Sequence, residues 1–253
     1  MTTTNTQQLY DQNAGSWVRT GPAILSDFTA LPAVLEELGD LQGAHVLDLG
    51  CGEGYVARLV ADAGAASVHG IDISTEMVAR ARAAIPPKSP CAFSFVTGDA
   101  SLANDLPRER FDRIMAVFML SYLSCRQMLD ALRRARAHLA AGGRFVCVVP
   151  HPCFPFMREP ASPLYVEPGP YDYFSGVDVW FEGRLWRRDG AMVPVRCVHK
   201  TFGDYFEAFA DAGWPRVSKV RELGVTPQHV ALDPAFFSPL LGYPLHLLFR
   251  LEV

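Results

Sequence analysis

From Val46 onward the chain alternates short apolar runs with stretches of helical periodicity. Val46-Leu47-Asp48-Leu49 reads as a buried strand, and a helix follows over residues 54–63. Residues 67–73 form a second strand, followed by a helix opening at Ser74, whose hydroxyl can cap it. Three residues on, where a full capping box needs an acid or an amide, stands Met77, so the cap is a simple one. Residues 93–96 and 111–118 supply a third and a fourth strand. The pattern then predicts a helix over 126–140, closed by Gly142-Gly143, and a fifth strand over 144–149. Strand–helix units of this length require crossover connections, hence a parallel sheet with right-handed crossovers.

Both flanks follow other patterns. The first forty residues are helical in character, with Pro32 opening a segment through Leu38 and Gly39-Asp40 closing it. Residues 150–175 are crowded with prolines and aromatics, as in His151-Pro152-Cys153-Phe154-Pro155-Phe156. Residues 177–188 and 192–198 then alternate around Asp189-Gly190, a strong hairpin signal. A helix over 202–212 and strands near 217–221 and 245–253 complete the pattern. The expected fold is α/β: a Rossmann-like, doubly wound, mostly parallel seven-stranded sheet with an antiparallel cap inserted after the fifth strand. Three parts follow: N-terminal helices and nucleotide-type core (1–149), cap (150–200), and a C-terminal helix and strands completing the sheet (201–253).

The junction of the first strand and helix carries the chemistry. In Asp48-Leu49-Gly50-Cys51-Gly52-Glu53-Gly54 three glycines alternate, where positive φ is permitted and a ligand can approach the backbone. The helix that follows presents free N–H groups and the positive end of its dipole. Asp72 ends the second strand, where a carboxylate can accept bonds from two ribose hydroxyls. Gly98-Asp99-Ala100 adds an acid on the same edge. A nicotinamide-type turn, G-x-G-x-x-G, would need glycine where Tyr55 stands, and the lysine of a phosphate-binding P-loop is missing.

The ordered set Asp48-x-Gly50-x-Gly52-x-Gly54, Gly70-Ile71-Asp72-Ile73-Ser74-x-x-Met77, Gly98-Asp99-Ala100 and Phe111-Asp112-Arg113-Ile114 resembles the class I S-adenosylmethionine-dependent methyltransferases over residues 45–150. The resemblance implies S-adenosylmethionine as cofactor and S-adenosylhomocysteine as its product. It implies that Asp48 and the turn Gly50, Cys51, Gly52 and Gly54 meet the methionyl part, and that Asp72 holds the ribose. Ile73 and Met77 would flank the adenine, and Asp99 would meet its amino group beside Ala100. Phe118 and Met119 would line the sulfonium side. Tyr10 and Trp17, in a Tyr-Asp-x-x-Ala-x-x-Trp segment, resemble the N-terminal helix that closes over the cofactor.

On the acceptor side, His151 directly follows the fifth strand and His199 ends the hairpin. Imidazole titrates near neutrality and suits proton removal, so both are candidate catalytic bases. Tyr165, Tyr171, Tyr173, Phe174, Trp180 and Trp186 could grip a planar or aromatic acceptor, or instead form a dimer contact or satellite core. The His-Pro step, the aromatic insert and His199-Lys200-Thr201 resemble bacterial type 11 small-molecule methyltransferases, which implies a small acceptor, of a kind found in secondary metabolism. The motif used on exocyclic base amines is absent, because Ala116-Val117-Phe118-Met119 stands at its place. The same residues lack the acids of magnesium-dependent catechol enzymes, so no metal is expected. A sensor that binds S-adenosylmethionine without transferring its methyl group is the alternative reading.

Composition narrows the partners. The formal charge of −4 on 253 residues argues against nucleic acid, whose binding depends on clustered cations. Arg133, Arg134 and Arg136, and likewise Arg184, Arg187 and Arg188, read as solvated faces. The six cysteines lack the clustered spacing of disulfide frameworks or zinc sites. No stretch suggests a signal peptide or a membrane span, so a reduced cytoplasmic setting is the expectation. Self-association is compatible with the sequence.

Overall fold

In a computed structural model, which describes residues 3–102, 106, 109–157, 163–167 and 169–253, the strand–helix alternation closes into one sheet. Three helices lead: α1 (Thr3–Trp17), α2 (Leu25–Thr29) and α3 (Leu31–Leu38). Then come β1 (His45–Leu49), α4 (Tyr55–Asp62), β2 (Ser67–Asp72), α5 (Thr75–Ala83), β3 (Ala92–Thr97), β4 (Phe111–Val117), α6 (Cys125–His138) and β5 (Leu139–Pro150). The excursion holds β6 (Leu164–Val166), β7 (Trp180–Trp186) and β8 (Met192–Val198). The chain ends with α7 (Phe202–Asp211), β9 (Arg216–Gly224), α8 (Pro227–Leu232), α9 (Pro234–Phe237) and β10 (Pro244–Glu252). Part of the proline- and aromatic-rich stretch, residues 158–162 and 168, lies outside the described residues.

The seven strands run in the order β3-β2-β1-β4-β5-β10-β9. The four pairings along β3-β2-β1-β4-β5 are all parallel, and β10 pairs antiparallel with both β5 and β9. The strand order reverses between β1 and β4, so the carboxyl ends of β1, β2 and β4 open onto a crevice. Because β10 runs against its neighbours, its first residues, Leu245 and His246, arrive at that same edge. His246 pairs with Pro150, the last residue of β5.

Successive residues of a strand point to opposite faces, and here both faces are covered. Phe145, Cys147 and Val149 pack with Phe209 and Trp214 on the α6–α7 face, while Val146 and Val148 pack with Val34, Val46 and Val60 on the α3–α4 face. Each of these large side chains contributes roughly 1.5–3 kcal/mol on burial. Helix ends follow the expected chemistry. Ser74 Oγ accepts the Met77 N–H, without the reciprocal half of the box. Thr201 and Asp204 cap α7 with both halves.

The glycine pair after α6 acts differently from the expectation. The helix stops at His138, and Gly142, at φ +73°, shapes a bulge inside β5. The register jumps there from Phe111 opposite Leu139 to Arg113 opposite Arg144. A Cβ on Gly143 would lie 2.9 Å from the carbonyl oxygens of Ala140 and Asp112. The strand β6 and the short helices α8 and α9 were not expected from the pattern.

The excursion is a three-stranded antiparallel sheet, β6-β7-β8, with Trp186 opposite Met192 beside the turn. Its inner face shares a satellite core with residues from both ends of the chain. Leu185 packs with Ile24 and Leu25 of the N-terminal region, Phe154, Phe237 and Leu245.

Candidate active site

The glycine turn after β1 is held by β2, whose Ile71 carbonyl accepts both the Gly50 and Cys51 N–H groups. Gly50 (φ +79°) lets the loop after β4 come close, since a Cβ there would sit 2.6 Å from Met119 Cβ. Gly52 (φ +54°) has nothing within 4 Å of where its Cβ would be, so the backbone lies bare toward the crevice. Asp72 Oδ2 accepts the Gly52 N–H at 2.8 Å and Oδ1 accepts the Ser74 N–H at 2.9 Å. These two bonds fix the carboxylate and leave each oxygen a second lone pair. Burial pushes the Asp72 carboxyl above its ordinary range.

Asp48 is almost fully buried, and its Oδ2 has no hydrogen-bond partner. Burial first, and the charge of Asp72 second, push its carboxyl up to about 8. An orphaned buried carboxylate beside a bare glycine turn suits a cationic group such as an amino acid's ammonium, so these residues fit the methionyl part of S-adenosylmethionine. Asp99 follows β3, with Oδ1 accepting from the backbone and hydroxyl of Ser101. Ile73, Met77, Ala100, Phe118 and Met119 line the same cavity. Phe118 takes a left-handed conformation (φ +60°) to turn the chain out of β4, at a cost of about 1–2 kcal/mol. Its N–H is held by the Val148 carbonyl, and its own carbonyl accepts from Ser121 Oγ.

Helix α1 covers this edge. Tyr10 hydrogen-bonds Tyr122 and packs against Trp17 at 5.7 Å between ring centroids. Trp17 Nε1 is buried without a partner. Asp11 ties the helix down by accepting from Ser74 Oγ at 2.6 Å. Beyond α1, Arg19 forms a two-pronged pair with Asp27 (both 3.0 Å) and reaches Glu53 of the glycine turn at 2.9 Å. Arg58 holds the other oxygen of Glu53. This nearly buried ion network fastens the lid to the turn. Neither Arg19 nor Asp27 belongs to a motif, and no periodicity joins them in the mixed stretch from Val18 to Phe28.

The cavity, of roughly 270 Å³, runs from Asp48 and Asp72 past Phe118 to a wall beneath the cap sheet. Far from the acids the wall is apolar, with Leu25, Phe154, Leu164, Phe181 and Val195. None of the insert aromatics expected to grip the acceptor lines it. Strand alternation turns Phe181, Gly183 and Leu185 inward, so Trp180 and Trp186 face the other side. Trp180 stacks instead under Arg196, at 5.1 Å. Tyr165 lies against Arg184, Tyr171 and Phe174 are exposed, and Tyr173 packs on His199.

The histidines need a similar correction. Neither His151 nor His199 lines this cavity; both face a much smaller one behind Pro150 and Cys197, with Lys200 and Tyr205. His151 Nδ1 accepts the Cys153 N–H, so Nε2 carries the proton and donates to Glu222 at 3.0 Å. Both nitrogens are engaged, so no lone pair is left for a substrate proton. His199 donates Nε2–H to the Tyr173 carbonyl amid Phe156, Tyr173 and Phe181. Among the described residues the histidine that does line the main cavity is His246. The sequence held a signal for it: a lone polar residue inside the apolar run Leu245-His246-Leu247-Leu248-Phe249.

Residues 46–143 match a protein family described as a methyltransferase domain. The chain is 32% identical over 197 residues to a demethylmenaquinone methyltransferase of Tropheryma whipplei, a match covering 71% of this chain and 79% of that protein. It is 30% identical over 167 residues to a trans-aconitate 2-methyltransferase of Klebsiella pneumoniae, covering 64% and 62%. A crystal structure of an S-adenosylmethionine-dependent methyltransferase from Mesorhizobium loti superposes with a TM-score of 0.65 at 27% identity, covering 88% of this chain and 96% of that one.

Proposed function

The chain belongs to the class I S-adenosylmethionine-dependent methyltransferases, and we propose that its acceptor is a small organic molecule held between the glycine edge and the cap. The observation that carries this reading is the apolar end of the cavity, which continues directly from the cofactor-facing acids. Two relatives named for unlike organic acceptors, a demethylated quinone and trans-aconitate, agree with a shared cofactor half and a variable acceptor half. The aromatic rings of Phe118, Phe154 and Phe181 in the wall favour a planar acceptor, of the kind found in secondary metabolism.

When bound, S-adenosylmethionine supplies a methyl group made electrophilic by its sulfonium sulfur. The chain's own residues supply the placement. In this reading Asp48 takes the ammonium, the bare backbone at Gly52 admits the methionyl chain, and Asp72 accepts the ribose hydroxyls. Ile73 and Met77 sandwich the adenine beside Asp99 and Ala100. Tyr10 and Trp17 close over it, and Phe118 and Met119 form the wall at the reacting end. Fixing donor and acceptor in line supplies a large share of the rate in such displacements. The apolar wall keeps water out, which suits a reaction that destroys a positive charge at sulfur.

The test is to supply methyl-labelled S-adenosylmethionine with the dialysable fraction of a cell extract and, separately, with its protein and RNA. Label moving into the dialysable fraction alone is the expected result. Label on protein or RNA would overturn the reading.

A further inference from the structure

His246 sits at the edge where the chemistry occurs, because β10 runs antiparallel and begins where β5 ends. Its ring is 4% exposed and stands edge-on to Phe118, 5.1 Å between centroids. Nε2 lies 2.8 Å from Thr29 Oγ1. The Thr29 hydroxyl has a single proton, which it donates to the Leu25 carbonyl at 3.0 Å. It can therefore only accept from the ring. Nε2 carries the imidazole hydrogen, and Nδ1 is left as a bare lone pair. That lone pair has no partner: Nδ1 is a buried atom without a hydrogen bond. A buried acceptor left without a partner is unfavourable, and a ligand donor would remove that cost.

We infer that Nδ1 of His246 accepts the hydrogen of the acceptor's nucleophile, so the substrate methylated here is a neutral O–H or N–H compound. This inference rests on the small-molecule reading of the cavity. In the step, a lone pair on the substrate oxygen or nitrogen forms the bond to the methyl carbon. The carbon–sulfur bond breaks with its electron pair on sulfur, giving a neutral thioether. The substrate proton passes to Nδ1, and Nε2–H remains on Thr29. The imidazolium returns its proton to solvent once the product has left.

The electrostatics are consistent with that timing. Burial, and next the neighbouring His151, hold the His246 imidazole down at about 3, so it is neutral and proton-free before reaction. A positive charge at sulfur would hold it lower still. As the methyl group departs, that charge passes to the substrate atom that gains it, whose hydrogen becomes strongly acidic, so even a ring held this low can take the proton as the new bond forms.

The experiment uses protein labelled with ¹⁵N in its histidine rings and saturated with S-adenosylhomocysteine. Two-bond proton–nitrogen spectra should show His246 as the Nε2–H tautomer. Adding 4-chlorophenol should then move the Nδ1 resonance saturably, while 4-chloroanisole, which lacks the hydroxyl hydrogen, should not. His246→Phe keeps a planar ring beside Phe118 and removes the Nδ1 acceptor. It should bind S-adenosylhomocysteine as the wild type does and bind the phenol up to about tenfold more weakly. With any O–H or N–H acceptor that turns over, the same variant should lower kcat about 10²–10⁴-fold with little change in cofactor affinity. An Nδ1–H tautomer, equal responses to the phenol and the anisole, no phenol binding, or unaltered phenol affinity in the variant would each overturn the inference. The small-molecule reading is judged separately by the label-transfer experiment, which does not depend on His246.

Discussion

On one side of the cavity, Asp48, Gly50, Gly52, Asp72 and Asp99 stand at the ends of consecutive strands within one short stretch of chain. On the other side, Leu25, Phe154, Phe181, Val195 and His246 come from both termini and from the excursion between them. The first wall is made by local geometry: a strand ends, a glycine turns, an acid caps the crevice. The second exists only after α2, the cap sheet and β10 have met. The first therefore serves a cofactor common to many enzymes, and the second can change from protein to protein without disturbing it. The polar groups differ in the same way. Asp72 and Asp99 on the cofactor side are held by backbone bonds, whereas His246 on the acceptor side is held by one threonine.

The sharpest way to break this contrast is to remove the second wall. Replacing residues 151–199 by a glycine–serine linker should abolish methyl transfer, a loss of more than about 10²-fold from misplacement alone. S-adenosylhomocysteine should still bind, with some loss of affinity, because Arg187 of the cap donates to the Ser16 and Val18 carbonyls at the end of the lid. Turnover assays alongside calorimetry decide it; retained turnover would show that the cap is not the acceptor wall.

On the first wall, Asp72→Ala removes a carboxylate already aligned by Gly52 and Ser74. Charge-assisted hydrogen bonds are worth about 1.5–3 kcal/mol, so S-adenosylhomocysteine should bind roughly 10–150-fold more weakly in calorimetry. Wild-type affinity in that variant would remove Asp72 from the ribose site.

What could be read from the sequence follows the same division. The cofactor edge was legible because its residues stand where strands end and helices begin, boundaries that the apolar pattern marks, as Gly50 to Gly54 do between β1 and α4 and Ser74 does before α5. The sheet was legible because both its faces are buried, so its strands appear as apolar runs. The acceptor wall was not. His151 and His199 drew attention because they stand at strand ends, yet a strand end sets where the backbone goes and not which way a ring turns. Cys153 and Tyr173 turn those rings away. In β7 the two tryptophans fall on the outward parity and Phe181 on the inward one, a choice of face that alternation alone leaves open. The local chemistry of Gly142-Gly143 fits a helix stop, but pairing with β4 makes it a strand bulge.

A milder effect comes from the proton on Asp48. Its carboxyl is raised to about 8 in the folded protein against about 3.9 when unfolded, so the folded state holds the proton between those values. Without cofactor, the contribution of this group to stability is therefore fully present below about pH 4 and is lost as pH rises toward 8. Cofactor binding has the opposite sign. A bound ammonium favours the carboxylate, so binding should release a proton and tighten with pH, by at most about tenfold per unit up to about pH 8. Calorimetry in buffers of different ionisation enthalpy measures the released proton directly. Asp48→Asn should bind more weakly, release none and lose the slope below pH 8; an unchanged slope in that variant would assign the proton elsewhere.

The smallest effect tests how the lid is joined to the first wall. Ser74 Oγ accepts the Met77 N–H at 3.1 Å, capping α5, and donates to Asp11 Oδ1 of α1 at 2.6 Å. Asp11 also accepts the Glu76 N–H at 3.2 Å, so the lid is joined to the first turn of α5 at two points. Ser74→Ala removes the cap and one of those points. Loss of a serine cap typically costs about 1 kcal/mol, which should appear as a lower midpoint in denaturant with an unchanged slope. Asp11→Asn leaves the cap in place but replaces the charge that Ser74 and Glu76 contact. The two variants separate the functions of this serine. If the lid is held from α5, both should speed S-adenosylhomocysteine dissociation a few-fold in stopped-flow measurements, whereas only Ser74→Ala should lose the full cap contribution to stability. Dissociation unchanged in both would mean that Arg19, through Asp27 and Glu53, holds the lid without help from α5.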